Sequence, residues 1–194
     1  CAGVDPPESE SQAPAARHGV HGVQDQVHHR LAQGGRLALN GRHPVEVGAW
    51  DSPGYANGVA VAGQYAYVAD GGAGVRVIDI SDPTHPREVG FVYILGYAFN
   101  IVAVGNYAYV AAAGAGLRVV DISYPAHPSE VGSYDTPGNA HDIAIVSDLV
   151  YVADEWGGLR VVDVSEHTNP VEVGFYDTPG QAFGVALADN KVYV

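Results

Sequence analysis

Apolar residues in this chain come in short runs, each closed by glycine, proline, asparagine or aspartate. Residues 54–95 show the pattern best. Gly54-Tyr55-Ala56-Asn57 leads into a small apolar run, Gly58-Val59-Ala60-Val61-Ala62. Gly63-Gln64 separates that run from Tyr65-Ala66-Tyr67-Val68-Ala69-Asp70. A glycine-rich link, Gly71-Gly72-Ala73-Gly74, precedes Val75-Arg76-Val77-Ile78-Asp79-Ile80-Ser81. The joint Asp82-Pro83-Thr84-His85-Pro86 then leads to a run around Glu88-Val89-Gly90-Phe91-Val92-Tyr93. Runs of this length, rich in β-branched and aromatic residues and bounded by turn formers, predict four β-strands. Gly63-Gln64 and its counterparts Gly105-Asn106, Ser147-Asp148 and Asp189-Asn190 tolerate positive φ or close tight turns, as two-residue hairpins require.

The same set of runs returns at a fixed interval. A Pro-x-Glu-Val-Gly block starts at Pro44, Pro86, Pro128 and Pro170, each 42 residues after the last. A fixed period of this size means one supersecondary unit copied in tandem, and four short antiparallel strands in about 42 residues match one propeller blade. The predicted fold class is therefore all-β, a β-propeller of four-stranded antiparallel blades. The innermost strand of a blade is expected to occupy the most crowded layer, which suits Val59-Ala60-Val61 and Val185-Ala186-Leu187. The outer strand meets solvent, which suits Glu46, Glu88, Glu130 and Glu172, and charge there also resists edge-to-edge pairing. A β-solenoid is the rival, but its coils are usually shorter and lack three hairpin-like connections per repeat.

The third run of each unit carries a resemblance. Val75-Arg76-Val77-Ile78-Asp79, Leu117-Arg118-Val119-Val120-Asp121 and Leu159-Arg160-Val161-Val162-Asp163 resemble the LVIVD repeat, with arginine in place of the second-position valine. The resemblance covers about residues 44–194. It implies a bacterial or archaeal β-propeller, in many members at the cell surface, and it supplies no catalytic residues to carry over. The expected boundaries are an outer strand at 44–53, whole blades at 54–95, 96–137 and 138–179, and the start of another blade at 180–194. That is about three and a half blades, whereas closed propellers use about four to eight. The chain is thus expected to continue, to about 300 residues for seven blades, or two partial rings are expected to associate.

Composition narrows the partners. The net charge is −13, and residues 44–194 hold nearly all of the acids against few basic residues. Such a surface repels phosphate backbones and anionic lipid headgroups, so nucleic acid is not an expected partner. No run of apolar residues is long enough to span a bilayer as a helix. The chain has no Met and one Cys, Cys1. Cys1-Ala2-Gly3 followed by a Pro/Glu/Ser/Gln stretch to Pro14 resembles a mature bacterial lipoprotein. The resemblance implies acylation of Cys1, a membrane anchor, and a polar tether over residues 1–43 that keeps the folded part clear of the surface. Residues 15–43 hold His18, His21, His28, His29 and His43, and Gly34-Gly35-Arg36 faintly echoes the later repeats. A decayed repeat, a linker and a corrupted stretch are all open readings there. No Cys or carboxylate spacing supports a metal site among these histidines.

Candidate chemistry divides into what recurs and what varies. Asp79, Asp121 and Asp163 share one register, as do Arg76, Arg118 and Arg160. Features present in every blade serve the blade, so turn capping by Asp and Arg pairing to a neighbouring blade are expected rather than a ligand ring. His43, His85 and His127 precede proline and are expected to sit in extended turns. Function is better sought where copies differ. The residues entering the inner strand read Asn57, Phe99, His141 and Phe183, followed by Gly58, Asn100, Asp142 and Gly184. In a propeller these open onto the mouth of the central channel, where ligands commonly bind. Adjacent strand residues point to opposite faces, so His141 and Asp142 cannot form a dyad with each other.

The link between second and third strands also varies, ending in Asp154-Glu155-Trp156-Gly157. Asp154 and Glu155 offer oxygens, without the alternating pattern of a calcium loop. Trp156 is either an exposed contact residue or packs over the next blade. No nucleophile elbow, phosphate loop or zinc-protease motif occurs. These residues lead to a non-enzymatic surface lipoprotein whose propeller binds a protein, a glycan or an envelope complex, with no cofactor or metal. The alternatives are an enzyme or metal-dependent binder at the channel mouth, which needs at least three polar side chains meeting in one pocket, and an accessory subunit of a membrane assembly.

Overall fold

The structure, a computed structural model, describes residues 36–40 and 43–194, with side chains from residue 45 onward. Strands β1 (Arg36–Asn40) and β2 (His43–Gly48) form a two-stranded antiparallel sheet. Three four-stranded sheets follow. Blade 1 is β3 (Gly58–Ala62), β4 (Tyr65–Ala69), β5 (Val75–Asp79) and β6 (Arg87–Val92). Blade 2 is β7 (Asn100–Val104), β8 (Tyr107–Ala111), β9 (Leu117–Asp121) and β10 (Ser129–Tyr134). Blade 3 is β11 (Asp142–Val146), β12 (Leu149–Ala153), β13 (Leu159–Asp163) and β14 (Val171–Tyr176). A last pair, β15 (Ala186–Ala188) and β16 (Lys191–Tyr193), ends the chain. Every pairing is antiparallel between sequence neighbours, so each blade is a simple meander. The inner strands β3, β7, β11 and β15 follow one another side by side about the axis.

Strand alternation sorts side chains onto two faces, and each face meets a different blade. Tyr67, Ala69, Val75 and Val77 of blade 1 pack against Ile101, Ala108, Val110, Val120 and Ile122 of blade 2. Tyr109, Ala111, Leu117 and Val119 on the other face of blade 2 meet Ile143, Val150, Val152 and Val162 of blade 3. Each such fully buried aliphatic side chain contributes about 1.5–3 kcal/mol, so the seams between blades are the core.

The innermost strand is not the most buried layer, contrary to the sequence expectation. The middle strands are: β4, β5, β8 and β9 are buried almost throughout. Inner-strand burial depends on the preceding blade. Ile101 and Ile143 are 2% and 4% exposed against blades 1 and 2, whereas Val59, at the same place in blade 1, is 38% exposed. Among the described residues, no inner strand lies ahead of β3 to cover it.

The outer strand is built by a shared irregularity. Val89, Val131 and Val173 fall where the register shifts, so each is a β-bulge between the Glu and Gly of the Pro-x-Glu-Val-Gly block. The β1–β2 pair carries the same shift at Val47, which marks β2 as another outer strand and extends regular structure back to Arg36. The glycine after the bulge abuts the next blade. A Cβ on Gly48 would meet Pro83 O and Thr84; one on Gly90 would meet Pro125 O and Ala126; one on Gly132 would meet His167 O and Thr168.

The recurring arginines pair inside their own blade, not with a neighbour as the sequence suggested. Arg76, Arg118 and Arg160 reach Glu88, Glu130 and Glu172 of the adjacent outer strand at 3.5, 3.5 and 3.7 Å. The third and fourth strands are hydrogen-bonded neighbours, and each arginine reaches its glutamate diagonally, two positions along from the residue that faces that glutamate in the ladder. The guanidinium groups of Arg76 and Arg160 also cover Phe91 and Phe175, at 4.8 and 4.9 Å from the ring centres. The recurring aspartates cap turns: Ser81, Ser123 and Ser165 donate their backbone N–H to Asp79, Asp121 and Asp163 at 2.9, 2.8 and 2.8 Å.

Candidate binding face

The chain enters each inner strand from the same end of the propeller at which the second strand passes to the third. The two loops are stitched together by short antiparallel bridges, Gly71 with Ala98, Ala113 with Ala140 and Glu155 with Ala182. Backbone N–H and C=O groups bond reciprocally across each bridge, at 2.9 Å in both directions for Glu155 and Ala182. Phe99, His141 and Phe183 each follow a bridged alanine. All the varying residues singled out in the sequence therefore lie on one end of the molecule, the top face.

A buried aspartate supports this face in blades 1 and 3, joined in blade 3 by a threonine hydroxyl. Asp154 is fully buried; its carboxylate accepts the Thr136 hydroxyl and, at 2.8 Å, the Gly138 N–H. Burial pushes the Asp154 carboxyl above the ordinary range, against the hydrogen bonds and Arg160, which pull it down. Asp70 holds the Gly54 N–H in the same way at 3.0 Å. In blade 2 the acid is replaced by Ala112 and the hydroxyl partner by Ile94, an apolar pair for a polar one. The oxygens of Asp154 are thus turned inward, away from those of Glu155, and the two do not converge on a shared ligand.

At the mouth the varying residues form an arc. Tyr97 lies against Phe99 with ring centres 5.1 Å apart. Phe99 stacks on His141 at 4.5 Å and 20°, and His141 meets Phe183 edge-on at 4.9 Å. Ring pairs at these separations contribute about 0.5–1.5 kcal/mol beyond their burial. Successive blades thus hand an aromatic contact round the axis. Phe183 is 54% exposed and Trp156 77% exposed, so Trp156 stands open on the surface and does not pack over the next blade.

The polar mouth residues are spent on the frame. Asn100 donates its amide to the Asp142 carboxylate, and its own amide oxygen accepts the Ile101 N–H at 2.7 Å. Asp142 also accepts the N–H groups of Ile143 and Val185 at 2.9 and 2.8 Å, tying blade 3 to β15. Asn57 donates to the Ala98 carbonyl at 2.9 Å. His141 and Asp142 go separate ways, the imidazole into the aromatic arc and the carboxylate into backbone. Gly58 stands where Asn100 of the next blade comes close, and a Cβ there would meet Asn100 at 2.9 Å.

One polar cluster was only partly picked out by the sequence reading, which named Glu155 but neither Asn139 nor Gln181. Glu155 accepts the Asn139 amide at 2.5 Å and the Gln181 amide at 2.7 Å, the two amides exposed and Glu155 half-buried. The signal was present, since the column holding Tyr55 and Tyr97 turns to Asn139 and Gln181 just where the link gains Glu155. A hollow of about 500 Å3 lies beside β15–β16, against Leu159, Tyr176 and Val192. At the matching place between blades 1 and 2, a Cβ on Gly96 would meet Ala112 O and Ala115, whereas one on Gly180, which lines the hollow, would meet nothing within 4 Å. Among the described residues, no group of three or more His, Cys, Asp and Glu side chains is arranged to hold a metal ion. Cys1 lies outside the described residues.

No curated protein matches the chain. Many solved structures share its fold, two computationally designed proteins among them. The computationally designed Ika4 protein aligns with a TM-score of 0.58 at 14% identity, over 73% of this chain and 84% of that one. The computationally designed Ika8 protein aligns with a TM-score of 0.62 at 12% identity, over 76% of this chain and 45% of that one. The chain therefore spans less than half of Ika8, and at these identities the likeness concerns fold alone. The LVIVD repeat family model matches residues 53–93, 95–136 and 137–178, one match per blade. Its matches cover well over half of the residues, and they coincide with the three four-stranded sheets: the chain belongs to the LVIVD repeat family.

Proposed function

We propose that this chain is a non-enzymatic binding platform of the cell envelope, held on a membrane through an acylated Cys1 and offering its top face to a protein, glycan or larger envelope complex. One observation carries the reading. The side chains that differ between blades gather on the top face as exposed or half-exposed aromatics, Phe99, Trp156 and Phe183. Exposed aromatic anchors on a rigid frame are the usual means of partner contact. The polar mouth residues Asn57, Asn100 and Asp142 bond into the frame, which holds them to separate partners instead of one shared ligand. Asn139, Glu155 and Gln181 do meet, with Gln181 on the rim of the open hollow beside β15–β16, and no nucleophile stands among the three.

The test uses the chain with Cys1→Ser, which stays in solution, and isolated envelopes from the native host. Binding is expected to be saturable and to fall at least tenfold on Trp156→Ala with Phe183→Ala, as loss of two anchors requires. Tyr124→Ala, on the opposite end, is expected to leave it unchanged. Binding indifferent to Trp156 and Phe183, or substrate turnover lost on His141→Ala, would overturn the reading.

A further inference from the structure

The cluster around Glu155 is not part of blade construction. The places of Glu155 and Trp156 are taken by Gly71 and Gly72 in blade 1 and by Ala113 and Gly114 in blade 2. Those blades make the same bridge without a carboxylate or an indole. Glu155 moreover sits at a φ of 48°, in the left-handed region where blade 1 uses glycine. Ala113 of blade 2, at a φ of 51°, bears the same cost of about 1 kcal/mol relative to glycine without a carboxylate, so the backbone there does not call for glutamate.

Three properties of the cluster specify a ligand. First, a carboxylate flanked by two primary amides sets acceptors and donors side by side on exposed surface, with free valences on each. Neighbouring hydroxyl groups, each both donor and acceptor, satisfy such a row. Second, Trp156 stands opposite Gln181 across the Glu155–Ala182 bridge and is 77% exposed. Phe183, next after the bridge, extends the apolar surface towards His141. An indole face beside polar groups suits a ligand with one face of C–H and an edge of hydroxyl. Third, the acidic surface, at a net −13, disfavours an anionic ligand.

We propose that Asn139, Glu155, Gln181 and Trp156 form a subsite for an uncharged pyranose unit of a glycan. The sugar's C–H face lies on Trp156, and its vicinal hydroxyls donate to Glu155 and exchange hydrogen bonds with the Asn139 and Gln181 amides. This assignment rests on the platform reading and names the ligand class for that face.

The probes are neutral hexasaccharides of β-1,4-glucose, α-1,4-glucose and β-1,4-N-acetylglucosamine, with a hexagalacturonate as the anionic control. Binding to the 194-residue chain is measured by titration calorimetry and by Trp fluorescence. At least one neutral hexasaccharide is expected to bind saturably, with a change in fluorescence that Trp156→Gly removes. Glu155→Ala is expected to weaken binding about tenfold or more, the loss of a charge-assisted hydrogen bond. Both substitutions copy what blade 2 carries at these places, Ala113 and Gly114, so the bridge and the fold are kept. Tyr124→Ala is expected to change nothing. Absence of binding by every neutral probe, preference for the galacturonate, or indifference to Glu155→Ala and Trp156→Gly would overturn the subsite. Envelope binding that survives periodate but not protease, and still needs Phe183, would leave the platform standing while the sugar assignment falls.

Discussion

Replacing Gly90 by alanine isolates the contact that sets one blade against the next. Gly90 follows the bulge in β6, and its φ lies outside the left-handed region, so alanine fits the backbone. An added Cβ would nonetheless overlap the Pro125 carbonyl oxygen and lie 3.0 Å from backbone atoms of Ala126. Neither is the end of a flexible side chain, so relief requires the turn of blade 2 to move away from β6. Overpacking of this kind costs about 1–3 kcal/mol. Alanine also reduces the entropy of the unfolded chain, which offsets about 0.4–1 kcal/mol. The expected net loss is about 1–2 kcal/mol, or a fall in Tm of about 2–8 °C at about 2–4 °C per kcal/mol for this length. Gly132→Ala, which meets His167 and Thr168, should behave alike. Gly174 provides the control, because in this chain a Cβ there meets only Val161, at 3.9 Å. Gly174→Ala is therefore expected to be neutral or slightly stabilising. Thermal and urea unfolding followed by circular dichroism report all three. Equal stability of Gly90→Ala and wild type, or an equal cost at Gly174, would refute the blade-to-blade origin of the block's glycine.

Thr136→Val should cost about 1–3 kcal/mol in urea unfolding, because it strips a partner from the buried Asp154 carboxylate. The double variant Thr136→Ile with Asp154→Ala, which copies Ile94 and Ala112 of blade 2, should recover most of that loss. Acid titration should show two opposed effects. The hydroxyl and N–H of the following serine hold Asp79 and Asp121 below the ordinary value of 3.8, as the N–H and hydroxyl of Ser165 do Asp163. Bonds from Thr84, hydroxyl first, bring Asp82 down to about 2. Their stabilisation is present above pH 3.8 and lost as pH falls below it, with Asp82 protonating around pH 2. Asp154 has the opposite sign: its carboxyl is raised by burial, so its contribution improves as pH falls through that raised value, and the Ile/Ala double variant should lose only this part. Cys1→Ser should release the protein from membranes and abolish labelling by fatty acid, if acylation is the anchor, and unchanged membrane retention would contradict it.

The architecture was legible because it is local and repeated. Turn residues and strand periodicity place the strands from β2 onward within a few residues, and the fixed 42-residue step makes them blades, whereas β1 falls in the stretch read as a tether. What escaped is set between blades or between columns. Glu88 reads as a solvent-facing edge charge until the ladder brings it diagonally within reach of Arg76, and no sequence spacing says whether an arginine turns to its own blade or the next. Gly90 looks like a turn residue, yet its reason is a carbonyl from the following repeat. Inner-strand burial could not be read from residue type, since Val59 and Ile101 differ in exposure through their neighbours rather than their chemistry. At the top face, the varying mouth positions were identifiable from the repeat alignment, and they do gather. The cluster of Asn139, Glu155 and Gln181 needed two columns compared at once, as did the exchange of Thr136 and Asp154 for Ile94 and Ala112.

The central claim is that successive repeats turn about one axis and so carry equivalent residues, 42 positions apart, into direct ring contact. Nuclear Overhauser spectroscopy with selectively labelled Phe and His tests it most directly. Cross-peaks are expected from Phe99 to His141 and from His141 to Phe183, whose ring centres lie 4.5 and 4.9 Å apart, with each peak lost on His141→Ala. Silence between these rings, together with main-chain contacts joining the first strands of successive repeats into one continuous hydrogen-bonded sheet, would contradict the propeller and the face built upon it.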